Sequence, residues 1–247
     1  MPSLIDLGIV EEVGMRRFFL LAALVAALSF TASAGTVVLT FGAFQDGEEV
    51  LDYFNGGTGS LGTGPGPNYG ITFGSDSLAF INMTSGGSLN SQEEPSGTDA
   101  GMIFLSGSGD LMDVPAGFTS GFSFYYAAPG FPGSVSVYSG LDGTGSLLAT
   151  LTLPLTADAG NPGCLGYDYC PYVPIGVTFS GTAESVLFSG TANYIVFDDI
   201  TLGSSIAGGG GGPTSGTPEP ATFGLIGLGL ATLGVISRRR GKDDRKS

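Results

Sequence analysis

The chain of 247 residues contains no histidine and no tryptophan, and it has only two cysteines. Its eight lysines and arginines all lie near the two ends, so the stretch from residue 18 to residue 237 has no basic side chain. Residues 35–205 carry sixteen aspartates and glutamates with no cation among them. These absences argue against nucleic acid as a partner, because nucleic-acid binding depends on basic groups that neutralise phosphates.

The same absences remove most catalytic mechanisms. Histidine or lysine usually supplies the base that activates a serine or cysteine, and arginine or lysine usually stabilises a developing oxyanion. Chemistry with carboxylates alone remains, in particular glycoside hydrolysis by two acids about 5 to 9.5 Å apart. The composition therefore favours a non-catalytic protein.

Residues 15–34 have the order of a secretory signal peptide. Arg16 and Arg17 precede an uncharged, largely apolar run over residues 18–30, and small residues follow at Ala32 and Ala34. We predict cleavage after Ala34. Residues 1–14 carry three acids and no base, which is the wrong charge for a signal start. We therefore expect Met15 to be the initiator and residues 1–14 to reflect a mis-assigned gene start.

The other end also has the pattern of a targeting segment. A glycine-rich linker is predicted over residues 206–217, and it leads into Pro218, Glu219 and Pro220. Residues 221–237 are uncharged and long enough for a short transmembrane helix. The cluster of Arg238, Arg239 and Arg240 follows this helix, and the positive-inside preference keeps residues 241–247 in the cytoplasm.

Residues 218–240 resemble the PEP-CTERM sorting signal of Gram-negative bacteria that make exopolysaccharide. The resemblance implies an exosortase-type enzyme as partner, which cleaves near Pro218, Glu219 and Pro220. It also implies a transient inner-membrane form with the domain in the periplasm, followed by transfer to the cell surface or the extracellular matrix. A single-span anchor that is never processed is the alternative.

The two cysteines, Cys164 and Cys170, lie six positions apart. In an exported chain, a disulfide that closes a loop is the expected state of such a pair. A zinc site would need further ligands that a chain without histidine does not readily supply. Catalytic redox chemistry is disfavoured because the spacing is not that of a Cys-x-x-Cys motif.

Residues 35–205 are predicted to form an all-β domain, an antiparallel sandwich of jelly-roll type. Short alternating apolar stretches are separated by glycine, proline, asparagine and aspartate. Residues 56–67 are expected to be a long surface loop. The predicted strands are 36–41, 70–73, 78–83, 102–105, 122–127, 134–138, 147–153, 176–179, 185–188 and 194–202. The predicted core positions are Val135, Val137, Val177, Phe179, Val186, Phe188, Ile195 and Phe197.

Residues 193–203 resemble the closing strand of carbohydrate-binding modules and galactose-binding-like jelly rolls. The resemblance implies a structural calcium ion held by Asp198 together with acids after the first strand, of which Asp46 and Glu48 are the candidates. Calcium prefers such oxygen ligands. The alternative is that these acids are solvated turn residues. Strand alternation predicts that Asp198 and Asp199 face opposite sides of the sheet.

Aromatic side chains are the other candidates for ligand contact. Tyr167, Tyr169 and Tyr172 cluster around the predicted disulfide loop and are the main candidates for a carbohydrate platform. Further candidates are Tyr53, Tyr69, Tyr126 and Phe131. The alternative is that these rings pack in the core or within loops, and the absence of tryptophan weakens the case for sugar binding.

Three functions remain in view. The first is a non-catalytic surface or matrix protein that binds exopolysaccharide. The second is a structural matrix or biofilm subunit without a ligand, whose acidity gives solubility and mutual repulsion. The third is a carboxylate-based glycoside hydrolase.

Overall fold

The computed structural model describes residues 35–95, 97–156 and 162–210. The predicted signal peptide, transmembrane helix, sorting signal and cytoplasmic tail lie outside these residues. Within them, no helix has the length and apolar character needed to cross a membrane. The described part consists of twelve strands and three short 3-10 helices. The strands are β1 (Val37–Leu39), β2 (Glu48–Glu49), β3 (Thr72–Phe73), β4 (Ser77–Ile81), β5 (Ala100–Phe104), β6 (Gly109–Phe118), β7 (Gly121–Ala127), β8 (Gly133–Tyr138), β9 (Leu147–Leu153), β10 (Val173–Thr178), β11 (Ala183–Ser189) and β12 (Val196–Leu202), and the helices are η1 (Met83–Ser85), η2 (Pro162–Cys164) and η3 (Ala207–Gly210).

The strands form two antiparallel sheets. The seven-stranded sheet has the order β10-β7-β12-β5-β4-β2, and β1 pairs with β12 beside this path. The five-stranded sheet has the order β3-β6-β11-β8-β9. All strand pairs are antiparallel. The prediction of an all-β antiparallel sandwich is confirmed.

The core contains the inward-facing side chains of both sheets. Phe188 on β11 and Phe197 on β12 have ring centroids 4.9 Å apart and meet edge to face, an arrangement that aromatic quadrupoles favour. Six of the eight predicted core residues are buried, and Val177 and Phe179 are half-buried against the same core. The six buried residues are Val135, Val137, Val186, Phe188, Ile195 and Phe197.

Each of the ten predicted strands overlaps an observed one, but the sequence patterns do not predict β2 or β6. Strand β6 contains Pro115 and Gly117, which usually indicate a turn. The register between β6 and β11 shifts between Asp113 and Phe118, so Pro115 lies in a β-bulge. A bulge accommodates proline because no ladder hydrogen bond is required there.

A second, smaller cluster lies on the other face of the seven-stranded sheet. Ile103 and Val196 each stand between core-facing neighbours along their strands, so alternation directs them away from the core. They pack with Leu89, Ala127 and Tyr172. The loops that contain Leu89 and Tyr172 therefore cover part of this outer face.

Both ends of the described chain emerge at the same end of the sandwich. Val37 on β1 pairs with Leu202 on β12, beside the point where η3 begins. The backbone N–H of Gly208 donates to Oγ1 of Thr201 at 3.1 Å, so residues that were expected to belong to the linker pack on the domain. Residues 206–210 therefore contact the domain, next to strands β1 and β12.

Candidate functional site

Three loops meet at the end of the sandwich that lies opposite the chain termini. The first residue of β12, Val196, pairs with Ala127 at the end of β7, and Val173 at the start of β10 pairs with Tyr126. The loops β7–β8, β9–β10 and β11–β12 therefore lie next to one another. They bring together residues that are far apart in the sequence.

Two exposed aromatic rings contact each other in this region. Phe131 in the β7–β8 loop and Tyr194 in the β11–β12 loop have ring centroids 4.6 Å apart and an interplanar angle of 68°. The exposed fractions of the two side chains are 43% and 44%. The edge-to-face geometry stabilises the pair. Together the two rings form an apolar surface that is open to solvent.

The disulfide loop supplies the third aromatic ring. The hydroxyl of Tyr169 donates to the backbone carbonyl of Asn193, next to Tyr194, at 2.6 Å. Burial raises the pKa of Tyr169, and the charges of Asp168 and Tyr194 raise it further. We call Phe131, Tyr169 and Tyr194 the end patch, with Asp168 as its acidic neighbour.

The loops that carry the end patch are tied to the sandwich by hydrogen bonds. Asn193 donates its backbone N–H to the carbonyl of Phe104 at 2.9 Å, which anchors the loop of Tyr194. The backbone N–H of Ala128 donates to Oγ1 of Thr156 at 2.9 Å, and this bond supports the loop of Phe131. The exposed rings are therefore presented on a fixed support.

Cys164 and Cys170 form a disulfide, as the sequence predicts. The loop that it closes is held by Asn90, whose carbonyl accepts the backbone N–H groups of Asp168 and Tyr169 at 3.0 Å each. The side-chain amide of Asn90 also donates to Oδ2 of Asp168 at 2.9 Å. These contacts fix both the ring of Tyr169 and the carboxylate of Asp168.

The three tyrosines predicted as a carbohydrate platform have different environments. Tyr169 belongs to the end patch, and Tyr167 is half-buried in the same loop. Tyr172 requires a correction, because it packs in the outer-face cluster with an exposed fraction of 9% and has no ring face available to a polymer. Burial raises its pKa well above 10, and the charges of Asp198 and Glu94 contribute.

The sequence patterns miss Tyr194 altogether, because its apolar neighbours place it in the predicted strand 194–202. The observed β12 begins two residues later, at Val196. Asn193 has a positive φ of 62°, a turn conformation that asparagine tolerates. An asparagine directly before a tyrosine is the sequence signal that could have indicated a turn at Asn193 followed by an exposed ring at Tyr194.

Several acidic residues accept hydrogen bonds from N–H and O–H groups, and Glu48 accepts the most. Glu48 is fully buried, and its carboxylate accepts hydrogen bonds from the backbone N–H groups of Gln45, Leu61 and Thr63 and from the Thr63 hydroxyl, at 2.5 to 3.0 Å. Burial raises the pKa of Glu48, but these bonds together hold it below the ordinary 4.5. Glu48 thus ties residues 56–67, the predicted surface loop, to strand β2.

The structure does not bring the predicted calcium ligands together. Asp46 accepts hydrogen bonds from the backbone N–H groups of Ile81 and Ser88. Glu48 is bonded to the loop of residues 56–67, and Asp198 lies on β12. Among the described residues, the one group of three or more possible metal ligands is Glu93 with Cys164 and Cys170, whose sulfurs are bonded to each other. Calcium binding stays a prediction.

A β-bulge alters the orientation expected for Asp198 and Asp199. The β7–β12 register shifts between Asp198 and Thr201, and Asp199 has a φ of 49°. Phe197 and Ile200 on either side both face the main core. The two aspartates therefore share the outer face, which corrects the expectation of strict alternation. A bulge has this effect because it adds one residue to one strand.

Asp199 occupies a buried site beneath η3. Its side chain has an exposed fraction of 7%, and its Oδ1 is buried without a hydrogen-bond partner. Burial raises the pKa of Asp199 from 3.8 to about 6. Burial thus disfavours the ionised carboxylate, which the folded protein must nevertheless hold above about pH 6.

The described domain is thus a β-sandwich that presents an aromatic end patch. Comparison with known families identifies the C-terminal segment, since residues 217–240 match the PEP-CTERM protein-sorting motif. This match confirms the resemblance found in the sequence and marks the chain as an exported protein that passes through a membrane. No curated protein matches the chain.

Several solved structures are similar to part of the chain. An arabinoxylan arabinofuranohydrolase of glycoside hydrolase family 43 from Bacillus subtilis is 19% identical, with a TM-score of 0.34, over 54% of this chain and 26% of its own. A family 6 carbohydrate-binding module is 17% identical, with a TM-score of 0.32, over 54% of this chain and 87% of its own. A carbohydrate-binding module of lichenase 5A from Cellvibrio mixtus is 14% identical, with a TM-score of 0.33, over 53% and 88%. We draw no function from a likeness at these TM-scores.

Proposed function

We propose that this chain is a non-catalytic surface or matrix protein that binds extracellular polysaccharide through the end patch. The observation that carries the proposal is the exposed contact between Phe131 and Tyr194, 4.6 Å apart, in two loops fixed to the sandwich. Exposed apolar contacts of this kind, flanked by polar groups, often serve ligand binding.

The end patch has the groups that a sugar ring requires. Aromatic faces carry negative charge density and attract the polarised C–H groups on one side of a sugar ring. Asp168 and Asn90 provide a carboxylate and an amide at the rim for hydroxyl groups, as in other ligand sites where a few polar groups fix orientation. The patch therefore suits a flat, hydroxylated ligand.

The position of the end patch suits display away from a membrane. Strand β12 runs from Val196, beside the end patch, to Leu202, beside the exit of the chain. The sorting motif begins at residue 217, and the six residues between it and residue 210 span at most about 20 Å. A domain tethered this closely would hold its termini toward the membrane and its end patch outward.

The proposed route follows from the sorting motif. The signal peptide directs export, the predicted helix 221–237 holds an inner-membrane intermediate with the domain in the periplasm, and an exosortase-type enzyme processes the motif. The product then reaches the cell surface or the extracellular matrix. No step of this route needs a catalytic group of the domain itself.

Hydrolysis by carboxylates remains the enzymatic alternative. Such a reaction needs two acids on either side of the bond, whereas the proposed contact depends on the exposed rings of Phe131 and Tyr194. We therefore expect no release of reducing sugar when the full chain is incubated with the polysaccharide that it retains. Sugar release that a single Asp or Glu substitution abolishes would contradict the non-catalytic part of the proposal.

The test of binding is retention of the full chain, in a nonionic detergent, on polysaccharide purified from the cells that make it. We expect Tyr194→Ala and Phe131→Ala to lose retention while their unfolding temperatures stay close to that of the parent. Tyr69→Ala is the matched control, because it removes an exposed tyrosine outside the end patch.

Absence of retention by the folded parent chain would contradict the binding proposal and favour a structural subunit without a ligand. Equal retention of the parent and of both end-patch variants would show that another surface binds the polymer.

A further inference from the structure

We propose that the polymer recognised by the end patch is built of amino sugars with free, protonated amines. This inference rests on the proposed function and names the chemical class of its ligand. It goes beyond sugar binding because it predicts that the charge of the polymer, in addition to its ring shape, decides whether it binds.

The charge of the domain provides the first argument. Residues 35–210 contain sixteen aspartates and glutamates and no lysine, arginine or histidine. Every fixed side-chain charge in this segment is therefore negative at neutral pH, except where a carboxyl group such as Asp199 is partly protonated. A field of one sign concentrates ligands of the opposite sign and repels those of its own sign. Uronic-acid, sulfated and phosphorylated polymers are disfavoured, and polycations are favoured.

The local chemistry of the end patch provides the second argument. An ammonium group is attracted to the faces of aromatic rings. Phe131 and Tyr194 contact each other here, and the Tyr169 hydroxyl binds the backbone next to Tyr194. Asp168 precedes Tyr169 in the chain, and its charge acts on the Tyr169 phenol together with that of Tyr194. Aromatic faces beside a carboxylate form the combination that recognises an amine.

The fixed position of the carboxylate provides the third argument. The Asn90 amide holds Oδ2 of Asp168, and the Asn90 carbonyl holds the backbone of Asp168 and Tyr169. The loop is also closed by the disulfide between Cys164 and Cys170. A side chain that is already held in position loses little conformational entropy on binding. More of the attraction between its charge and an amine therefore contributes to the affinity.

A sugar polymer fits these features better than a basic peptide. The rings of Phe131 and Tyr194 offer broad apolar contact, which a pyranose ring can cover and the thin methylene chain of a lysine covers only in part. Amines repeated on successive sugar units also experience the field of the whole acidic domain. The experiment below distinguishes an amino-sugar polymer from a basic peptide as the ligand.

The experiment compares glucosamine oligomers with N-acetylglucosamine oligomers of the same length, by calorimetry on the full chain in a nonionic detergent. We expect the glucosamine oligomer to bind at least about tenfold more tightly, as an ammonium over aromatic faces beside a carboxylate should. Raising the salt to about 0.5 M should remove much of this preference, because screening weakens the interaction of exposed charges.

Two variants distinguish the effect of the Asp168 charge at the end patch from the effect of the overall negative charge of the domain. Asp168→Asn should lower the preference for the glucosamine oligomer severalfold and leave the binding of the acetylated oligomer nearly unchanged. Glu184→Gln is the matched control, because it removes one charge near the start of β11, five residues before the end of the strand that leads to the end patch. It should alter the preference little.

The outcomes distinguish this inference from the proposed function. Equal binding of the two oligomers, lost in Tyr194→Ala, would overturn the inference and leave the proposed function standing. Binding of neither oligomer, nor of the native polysaccharide, would overturn both. Equally tight binding of an oligolysine that depends on Tyr194 would overturn the assignment to amino sugars in favour of a basic peptide.

Discussion

The backbone N–H of Asp199 donates a hydrogen bond to Oδ1 of the neighbouring Asp198 at 2.8 Å. The bulge that permits this contact places both carboxyl groups on the outer face of the seven-stranded sheet. Oδ1 of Asp199 is left buried without a partner. A buried carboxyl group in this position destabilises the fold when it ionises.

We expect Asp199→Asn to stabilise the protein near neutral pH. The pKa of Asp199 rises from 3.8 to about 6 on folding, so the folded state binds the proton more tightly than the unfolded state. The free energy of unfolding of the parent therefore falls as the pH rises from 3.8 to about 6. The gain in the variant should reach up to about 3 kcal/mol above pH 6 and disappear below pH 4.

Urea unfolding between pH 3.5 and pH 8 measures this difference. Asparagine tolerates the positive φ at residue 199, so backbone strain does not obscure the result. Asp52→Asn, at an exposed position, is the control. A gain of the same size at every pH would contradict the assignment to the Asp199 carboxyl group.

Glu48→Gln should destabilise the domain by about 2 to 4 kcal/mol at neutral pH, because an amide cannot accept all the hydrogen bonds of a buried carboxylate. The folded-state pKa of Glu48 lies below the ordinary 4.5. Its stabilising effect is therefore complete above pH 4.5 and declines as the pH falls through the folded-state value.

Denaturation and limited proteolysis test the role of Glu48, with new cleavage expected within residues 56–67. Glu49→Gln is the matched control, since alternation directs the next side chain of β2 to the other face. Cleavage of residues 56–67 in the control but not in Glu48→Gln would contradict this role.

Removal of the disulfide should weaken both stability and ligand binding. The bond closes a loop of seven residues, for which the chain-entropy model gives about 2 kcal/mol of stabilisation. The paired substitution Cys164→Ser with Cys170→Ser should lower the free energy of unfolding by about this amount and reduce glycan affinity, because Asp168 and Tyr169 lose their support. Unchanged affinity in a less stable protein would place the ligand contacts outside this loop.

Tyr172→Ala should destabilise the fold by about 3 to 5 kcal/mol, since it removes a large buried ring. Tyr167→Ala, in the half-buried position of the same loop region, should cost much less. Thermal unfolding of the two variants measures the contrast. A loss of glycan binding in Tyr172→Phe, with stability retained, would return Tyr172 to the list of ligand contacts.

Calcium binding by Asp46, Glu48 and Asp198 remains a prediction from the sequence. If it is correct, calcium raises the unfolding temperature of the full chain above its value in chelator, because a ligand of the folded state stabilises that state. The rise should disappear in Asp198→Asn. Equal unfolding temperatures in calcium and in chelator would contradict the calcium prediction. They would agree with the structure, in which the three carboxylates do not come together.

Local patterns predicted much of the domain. The alternation of apolar residues located ten of the twelve strands and six fully buried core residues, because a strand directs successive side chains to opposite faces. It failed at β6, where Pro115 lies in a bulge, and at Asp199, where a second bulge breaks the alternation. A bulge depends on the partner strand, which a local pattern does not include.

The sequence by itself determined the sorting motif, the all-β class and the disulfide, and it predicts the signal peptide, because each depends on residues close together in the chain. The tertiary structure decided which aromatic rings are exposed and which acids meet. Phe131, Tyr169 and Tyr194 are separated by up to 63 positions, and only the pairing of β7 with β10 and β12 places their loops at one end of the sandwich. That pairing depends on the packing of the two sheets around a common core, a property of the whole domain.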